Sequence, residues 1–229
     1  MLELQIPHYV DTHYLNLFYV IFLFSSALYF LYLRSIWQKK VPQIFFWIHF
    51  FIVSWSALMY CNLLFNTLLK PYVWYCDWIV STPLIMLALA LTAMYPLTKI
   101  NTSLIFAIMS TQAIVITTGF LAHISPSKAG LLTFFGIGNA FMFLIFYLVC
   151  VPLMNIAAEN KLLLQKYRTL AILLIAFWIS YPVAWIIGTP GLALVSPFIT
   201  NLLFVILPIL CKPVFGIVDL YLLNSLQEK

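Results

Sequence analysis

Charge is what this 229-residue sequence lacks. Only 7% of its residues are Asp, Glu, Lys or Arg, against about a quarter in soluble domains. With 65% of residues hydrophobic, that scarcity excludes a soluble globular fold. Polar stretches long enough for a second domain are also missing, so residues 1–229 read as one membrane domain. The four cysteines (Cys61, Cys76, Cys150 and Cys211) all sit inside apolar runs without CxxC spacing. They read as small packing residues, not as a disulfide framework or metal ligands. Neither a phosphate loop, a metal-ligand cluster nor a nucleophile triad is present, so no metal and no soluble enzyme chemistry is expected. The opening MLELQIPHYVDTHY has no basic n-region, and the first apolar run is expected to serve as an uncleaved insertion signal. Internal repeats and low-complexity segments are absent.

What is there is seven apolar stretches, each near the ~20 residues a bilayer crossing needs. They lie near 12–33, 42–66, 72–94, 101–122, 130–153, 169–188 and 198–223, separated by short connections such as RSIWQKK, LTKIN and ENKLLLQKYR. Continuous apolar runs without period-two alternation favour helices over a barrel. The expected fold is an all-α membrane protein, a seven-transmembrane-helix bundle. Arg34, Lys39, Lys40, Lys99, Lys161, Lys166, Arg168 and Lys229 fall on one side of it, and only Lys70 and Lys128 on the other. The positive-inside rule then places the N-terminus outside and the C-terminus in the cytoplasm. The formal charge of +5 reflects this topology and attraction to anionic lipid, not nucleic-acid binding.

Of the six acids, Glu3, Asp11, Glu159 and Glu228 lie in tails or connections. Asp77 and Asp219 lie inside helices, with Lys212 the only intramembrane base and His49 the only intramembrane histidine. A charge at a helix centre costs about 3 kcal/mol on insertion scales, so these four are functional candidates. A lysine in a dry site loses its proton readily and can condense with a carbonyl to form a Schiff base. The protonated product needs a counter-charge, for which Asp77 in WYCDWIVSTP is the candidate. Asp77 and Ser81 are four apart and share a face, as do Trp78 and Thr82. In FWISYPVAW, Trp178, Tyr181, Pro182 and Trp185 form one stripe, and Gly119 lets a flat ligand approach the fourth helix. Structural alternatives stand beside each reading. Lys212 could snorkel to an interface, Asp77 could complement a helix macrodipole, and the aromatic stripe could be packing alone.

These residues resemble a known family. WYCDWIVSTP is similar to the third-helix motif of the microbial rhodopsins, the Trp178, Tyr181, Pro182 and Trp185 set to their sixth-helix motif, and Lys212 to their retinal-binding lysine. The resemblance runs from VPQIFFWIHFFIVSWSALMY through STQAIVITTGF to the C-terminus. Most outward proton pumps of the family carry an arginine, a second aspartate and an acidic proton donor where this chain has Trp74, Pro208 and Ala88. With His49 and Asp219, that pattern resembles the xenorhodopsins, a group holding light-driven inward proton pumps and a photosensor. The resemblance implies all-trans retinal bound covalently to Lys212 and isomerising to 13-cis, with Asp77 as counterion. It implies a pocket of Trp78, Thr82, Gly119, Trp178, Tyr181, Pro182, Trp185 and Pro208, and a homotrimer in the cell membrane. Pro213, directly after the lysine, departs from the pattern.

The titratable groups also suggest a direction. Ala88 is eleven residues after Asp77 on nearly the same face, about 16 Å deeper, where a carboxylate would feed protons inward along the usual outward-pump route. Alanine cannot. Asp219 lies seven residues beyond Lys212, about 10 Å nearer the cytoplasm, and His49 should share its level. The expected function is a light-driven inward proton pump. His49 and Asp219 accept the Schiff-base proton, Asp77 serves its return from outside, and Trp74, Ser56 and Ser81 flank the path. Two bland readings stay open: Asp219 as a helix-end charge and His49 as a satisfied core histidine. The rival functions are a photosensory receptor signalling to a partner protein, a light-gated channel and a ligand-activated receptor.

Overall fold

The computed structural model describes residues 6–65, 68–95 and 100–226, with side chains from Thr12 onward. The side chains of Glu3, Asp11, Lys99, Glu228 and Lys229, which entered the charge and orientation readings, fall outside the described residues. Seven helices follow in order: α1 Ile6–Trp37, α2 Gln43–Leu64, α3 Val73–Ala93, α4 Thr102–His123, α5 Lys128–Ala157, α6 Lys161–Ile187 and α7 Pro197–Ser225. All seven contain spans long and apolar enough to cross a membrane, and no strand occurs among the described residues. Each helix packs on its neighbours in sequence, α1 closes the ring against α7, and α3 reaches across to α6 and α7. The α3 and α7 spans are accordingly the most buried of the seven. Phe18, Leu28, Phe106, Phe143, Ile172 and Val183 point outward, an apolar exterior suited to lipid, where water would penalise it.

α6 departs furthest from expectation, starting at Lys161 instead of near residue 169. Much of the presumed connection ENKLLLQKYR is therefore helix. Asn160 caps it, its side chain accepting from the Leu162 and Leu163 amides, which satisfies donors that a helix start leaves open. Leu163, Tyr167 and Leu170, at i, i+4 and i+7, bury one stripe of this added stretch. Tyr167 donates its hydroxyl to the Val149 carbonyl at 2.9 Å, tying α6 to α5. The segment is polar enough to look like a loop, yet its spacing is that of an amphipathic helix.

Two helices contain a π-helical turn, and each such turn holds a proline: Val149–Leu153 with Pro152 in α5, and Leu210–Val214 with Pro213 in α7. A proline inside a helix lacks an amide donor and crowds the carbonyl four residues back. Widening the turn lets a later amide bond five residues back, as Phe215 N–H does to the Leu210 carbonyl. Pro213, the departure from the family pattern, thus belongs to the wide turn that carries Lys212. Elsewhere Ser26, Thr82, Thr111, Thr117 and Thr118 donate to carbonyls four residues back. Their hydroxyls are thereby satisfied without water.

Candidate functional site

The π turn of α7 holds Lys212 in the interior, 2% exposed. Its side chain meets two partners from other helices. Lys212 Nζ donates to Ser56 Oγ of α2 at 2.8 Å and forms an ion pair with Asp77 Oδ2 of α3. Ser56 Oγ in turn lies 2.6 Å from Asp77 Oδ1 and 2.9 Å from its own helix's Ile52 carbonyl. One hydroxyl carries one proton, so Ser56 donates to the carboxylate or to the carbonyl, never both. Both Asp77 oxygens thus have a donor in reach, as a fully buried carboxylate requires. The arrangement holds one positive nitrogen against one negative carboxylate with a hydroxyl between.

A second buried network lies further along the same two helices. His49 Nε2 is 2.8 Å from Asp219 Oδ2, and Thr92 Oγ1 donates to Asp219 Oδ1 at 2.7 Å. His49 and Ser56 are seven apart on α2, and Lys212 and Asp219 seven apart on α7, so these antiparallel helices are matched at two levels about 10 Å apart. With the carboxylate as acceptor, His49 donates from Nε2, which leaves Nδ1 as a free lone pair. That atom is buried and has no hydrogen-bond partner. The imidazole is held between rings, stacked on Phe30 at a centroid distance of 5.6 Å and edge-on to Phe215 at 6.1 Å. Ala88, Ile52, Ile85 and Phe215 belong to the buried apolar cluster in this part of the bundle.

Gly216 fixes the imidazole's position. A Cβ there would come within 2.8 Å of both His49 Nδ1 and Phe30 Cζ. Gly216→Ala is therefore expected to lose about 1–3 kcal/mol of stability through overpacking, read from a denaturation midpoint. Unchanged stability would contradict the tight fit drawn here.

Beside the first network lies an apolar cavity. α3 lines it with Tyr75, Trp78 and Thr82, α4 with Gln112, Val115, Ile116 and Gly119, and α6 with Trp178, Tyr181, Pro182 and Trp185. α5 closes it with Phe135, Gly138, Asn139 and Met142. Trp78 meets Tyr181 edge-on at 5.6 Å, Phe135 stacks on Trp185 at 5.3 Å, and Trp185 Nε1 donates to Tyr75 Oη at 2.7 Å. Flat rings on several sides make a slot for a long conjugated apolar ligand. Tyr181 also packs against the buried cluster that contains Cys211, the residue before Lys212, so the cavity wall adjoins the part of the core that carries the amine. An apolar slot of aromatics in the same bundle interior as a buried primary amine suits a retinoid aldehyde.

Seven of the eight pocket residues picked from sequence line this cavity; Pro208 does not. Ser56 proves a direct partner of both Lys212 and Asp77, which helical spacing alone could not reveal. Ser81 donates to the Asp77 backbone carbonyl at 2.8 Å, its hydroxyl proton directed away from the carboxylate. Trp74 packs edge-on against Phe204 at 4.6 Å, its buried Nε1 without a partner. Thr92 went unnoticed. It lies fifteen residues after Asp77, and its partner Asp219 stands on another helix, so only the packing of α3 against α7 shows the contact. The α5 wall was also missed, because Gly138 and Asn139 carry no periodic aromatic signal.

Comparison with known proteins agrees with this geometry. The model of the bacteriorhodopsin-like protein family matches residues 11–226. The chain belongs to that family. Rhodopsins of this family span the membrane repeatedly, and this chain is a multi-pass membrane protein. Archaerhodopsin-2 of Halobacterium sp. (strain aus-2) is 31% identical over 148 residues, 64% of this chain and 55% of that one. Cruxrhodopsin-1 of Haloarcula argentinensis is 31% identical over 157 residues, 65% of this chain and 61% of that one. The matched stretches thus take in little more than half the length of these curated relatives. Among solved structures, the inward H(+) pump xenorhodopsin is 38% identical with a TM-score of 0.84, covering 92% of each chain. Thermophilic rhodopsin from Rubrobacter xylanophilus is 28% identical with a TM-score of 0.82, covering 93% of this chain and 99% of that one.

Proposed function

We propose that this rhodopsin is a light-driven inward proton pump with retinal attached to Lys212. The observation that carries the reading is the pair of buried networks stacked along α2 and α7, with an alanine at position 88. Resemblance to a structure described as an inward H(+) pump supports it. The excess of basic residues at one end of the bundle, Arg34, Lys39 and Lys40 about the α1–α2 connection and Lys161, Lys166 and Arg168 in the first turns of α6, supports a cytoplasmic position for the His49–Asp219 level. A homotrimer in the cell membrane belongs to the same proposal.

Bound as a Schiff base, retinal supplies light absorption and an isomerisation that changes the basicity and direction of the nitrogen. Before light, Asp77 and Ser56 hold the proton at the Lys212 nitrogen. Burial of all three groups strengthens that hold and keeps bulk water from competing. After light, His49 Nδ1 is the open lone pair at the next level. Asp219 balances the resulting imidazolium across the Nε2 contact, and Thr92 keeps the carboxylate oriented. The proton then leaves to the cytoplasm, and the Lys212 nitrogen regains one from the outside by way of Asp77. The π turn gives α7 a place to bend between the two levels. Ala88 offers no carboxylate to return a proton from the cytoplasm, so the cycle runs one way. The test is the sign of the light-driven pH change in oriented vesicles.

A further inference from the structure

Pro208 lies one turn before Lys212 and has no amide hydrogen. The carbonyl four residues back belongs to Phe204, and a regular α-helix would give it the amide of residue 208. Here that carbonyl receives a hydrogen bond from another helix: Tyr60 Oη of α2 donates to Phe204 O at 2.8 Å. Tyr60 and Phe204 are both fully buried. Tyr19 of α1, also fully buried, meets the Tyr60 ring edge-on at 4.5 Å and fixes the phenol's direction. Tyr60 and Ser56 are one turn apart on α2, so they share a face. α2 therefore grips α7 at the Phe204 carbonyl and again at Lys212 Nζ, through neighbouring side chains. The intervals differ, four residues on α2 against eight on α7. The lysine side chain, directed back toward the start of its own helix, spans the extra turn.

We infer that Tyr60 is a positioning residue: its hydroxyl replaces the amide that Pro208 lacks and sets the register in which Lys212 meets Asp77 and Ser56. Phenylalanine at position 60 keeps the ring and removes the hydroxyl that donates to this buried carbonyl, so α7 loses its anchor to α2 just before the lysine. The Lys212 nitrogen then sits less closely against Asp77. A counter-charge steadies a positive charge localised at the nitrogen more than one spread along a polyene, so a looser pair narrows the optical gap.

This consequence rests on retinal at Lys212, while the hydrogen bond itself does not. The test is a double-mutant cycle of Tyr60→Phe and Pro208→Ala, read two ways. In the apoprotein, the infrared band of an isotope-labelled Phe204 carbonyl should move to higher frequency in Tyr60→Phe. It should move back in the double variant, where the amide of residue 208 returns as donor. In the retinal-loaded protein, Tyr60→Phe should shift the visible maximum to longer wavelength. The same change should shift it less in the Pro208→Ala background. An unmoved carbonyl band in Tyr60→Phe overturns the hydrogen-bond assignment. A moved carbonyl band with equal colour shifts in both backgrounds overturns the positioning role. A wild-type protein that takes up no retinal would instead refute the chromophore reading, with the carbonyl result standing apart.

Discussion

Lys212→Ala is expected to abolish the visible absorption that retinal attached to Lys212 would give the wild-type protein. The expectation follows from position: Lys212 is the one buried lysine among the described residues, and the aromatic slot lies in the same bundle interior. No neighbouring side chain can form the same linkage. The variant carries a structural cost besides, since it leaves the Asp77 carboxylate buried without its cation, worth about 3–5 kcal/mol. A colourless protein could then be blamed on misfolding. Lys212→Ala combined with Asp77→Asn removes the charge along with its partner and keeps the bundle testable. That double variant should fold, as judged by helical circular dichroism, and remain colourless with retinal. Covalent colour in a folded variant lacking Lys212 would place the attachment elsewhere.

The second large effect concerns the other network. Asp219→Asn with His49→Ala is expected to lower light-driven proton transport by about 10²-fold or more, the usual contribution of a positioned acid–base group. Visible absorption should persist, because the pair stands about 10 Å of helix away from Lys212. Neutralising both partners together matters, since removing one alone would strand the other in a buried site. Full transport in a coloured double variant would eliminate this pair as acceptor. Loss of transport with retained colour would separate proton release from chromophore binding.

Much of the fold was legible because lipid imposes one rule on every span: all backbone groups must be satisfied within the segment. Five of the seven helices accordingly begin and end within a few residues of where hydropathy places them, while α1 starts early at Ile6 and α6 at Lys161. The start of α6 escaped because KLLLQKYR lies at the polar margin, where cap and amphipathic spacing decide and hydropathy does not. Within the site, Lys212, Asp77, His49 and Asp219 stood out because each is an expensive group in an apolar run. Thr92 and Tyr60 are cheap residues there, and their importance comes from which carboxylate or carbonyl they meet across a helix interface. In sequence, Pro208 marks a missing counterion and Pro213 a departure from the family pattern. Their backbone consequences, a carbonyl left for Tyr60 and a π turn that carries the lysine, arise only from how the helices pack.

The direction of transport tests the account most directly. Cells or vesicles of known orientation, loaded with retinal in weak buffer, are illuminated while external pH is followed with and without a protonophore. For intact cells the account predicts alkalinisation of the medium, abolished by the protonophore, because protons enter by way of Asp77 and leave through His49 and Asp219. Acidification of the medium under the same light would contradict it.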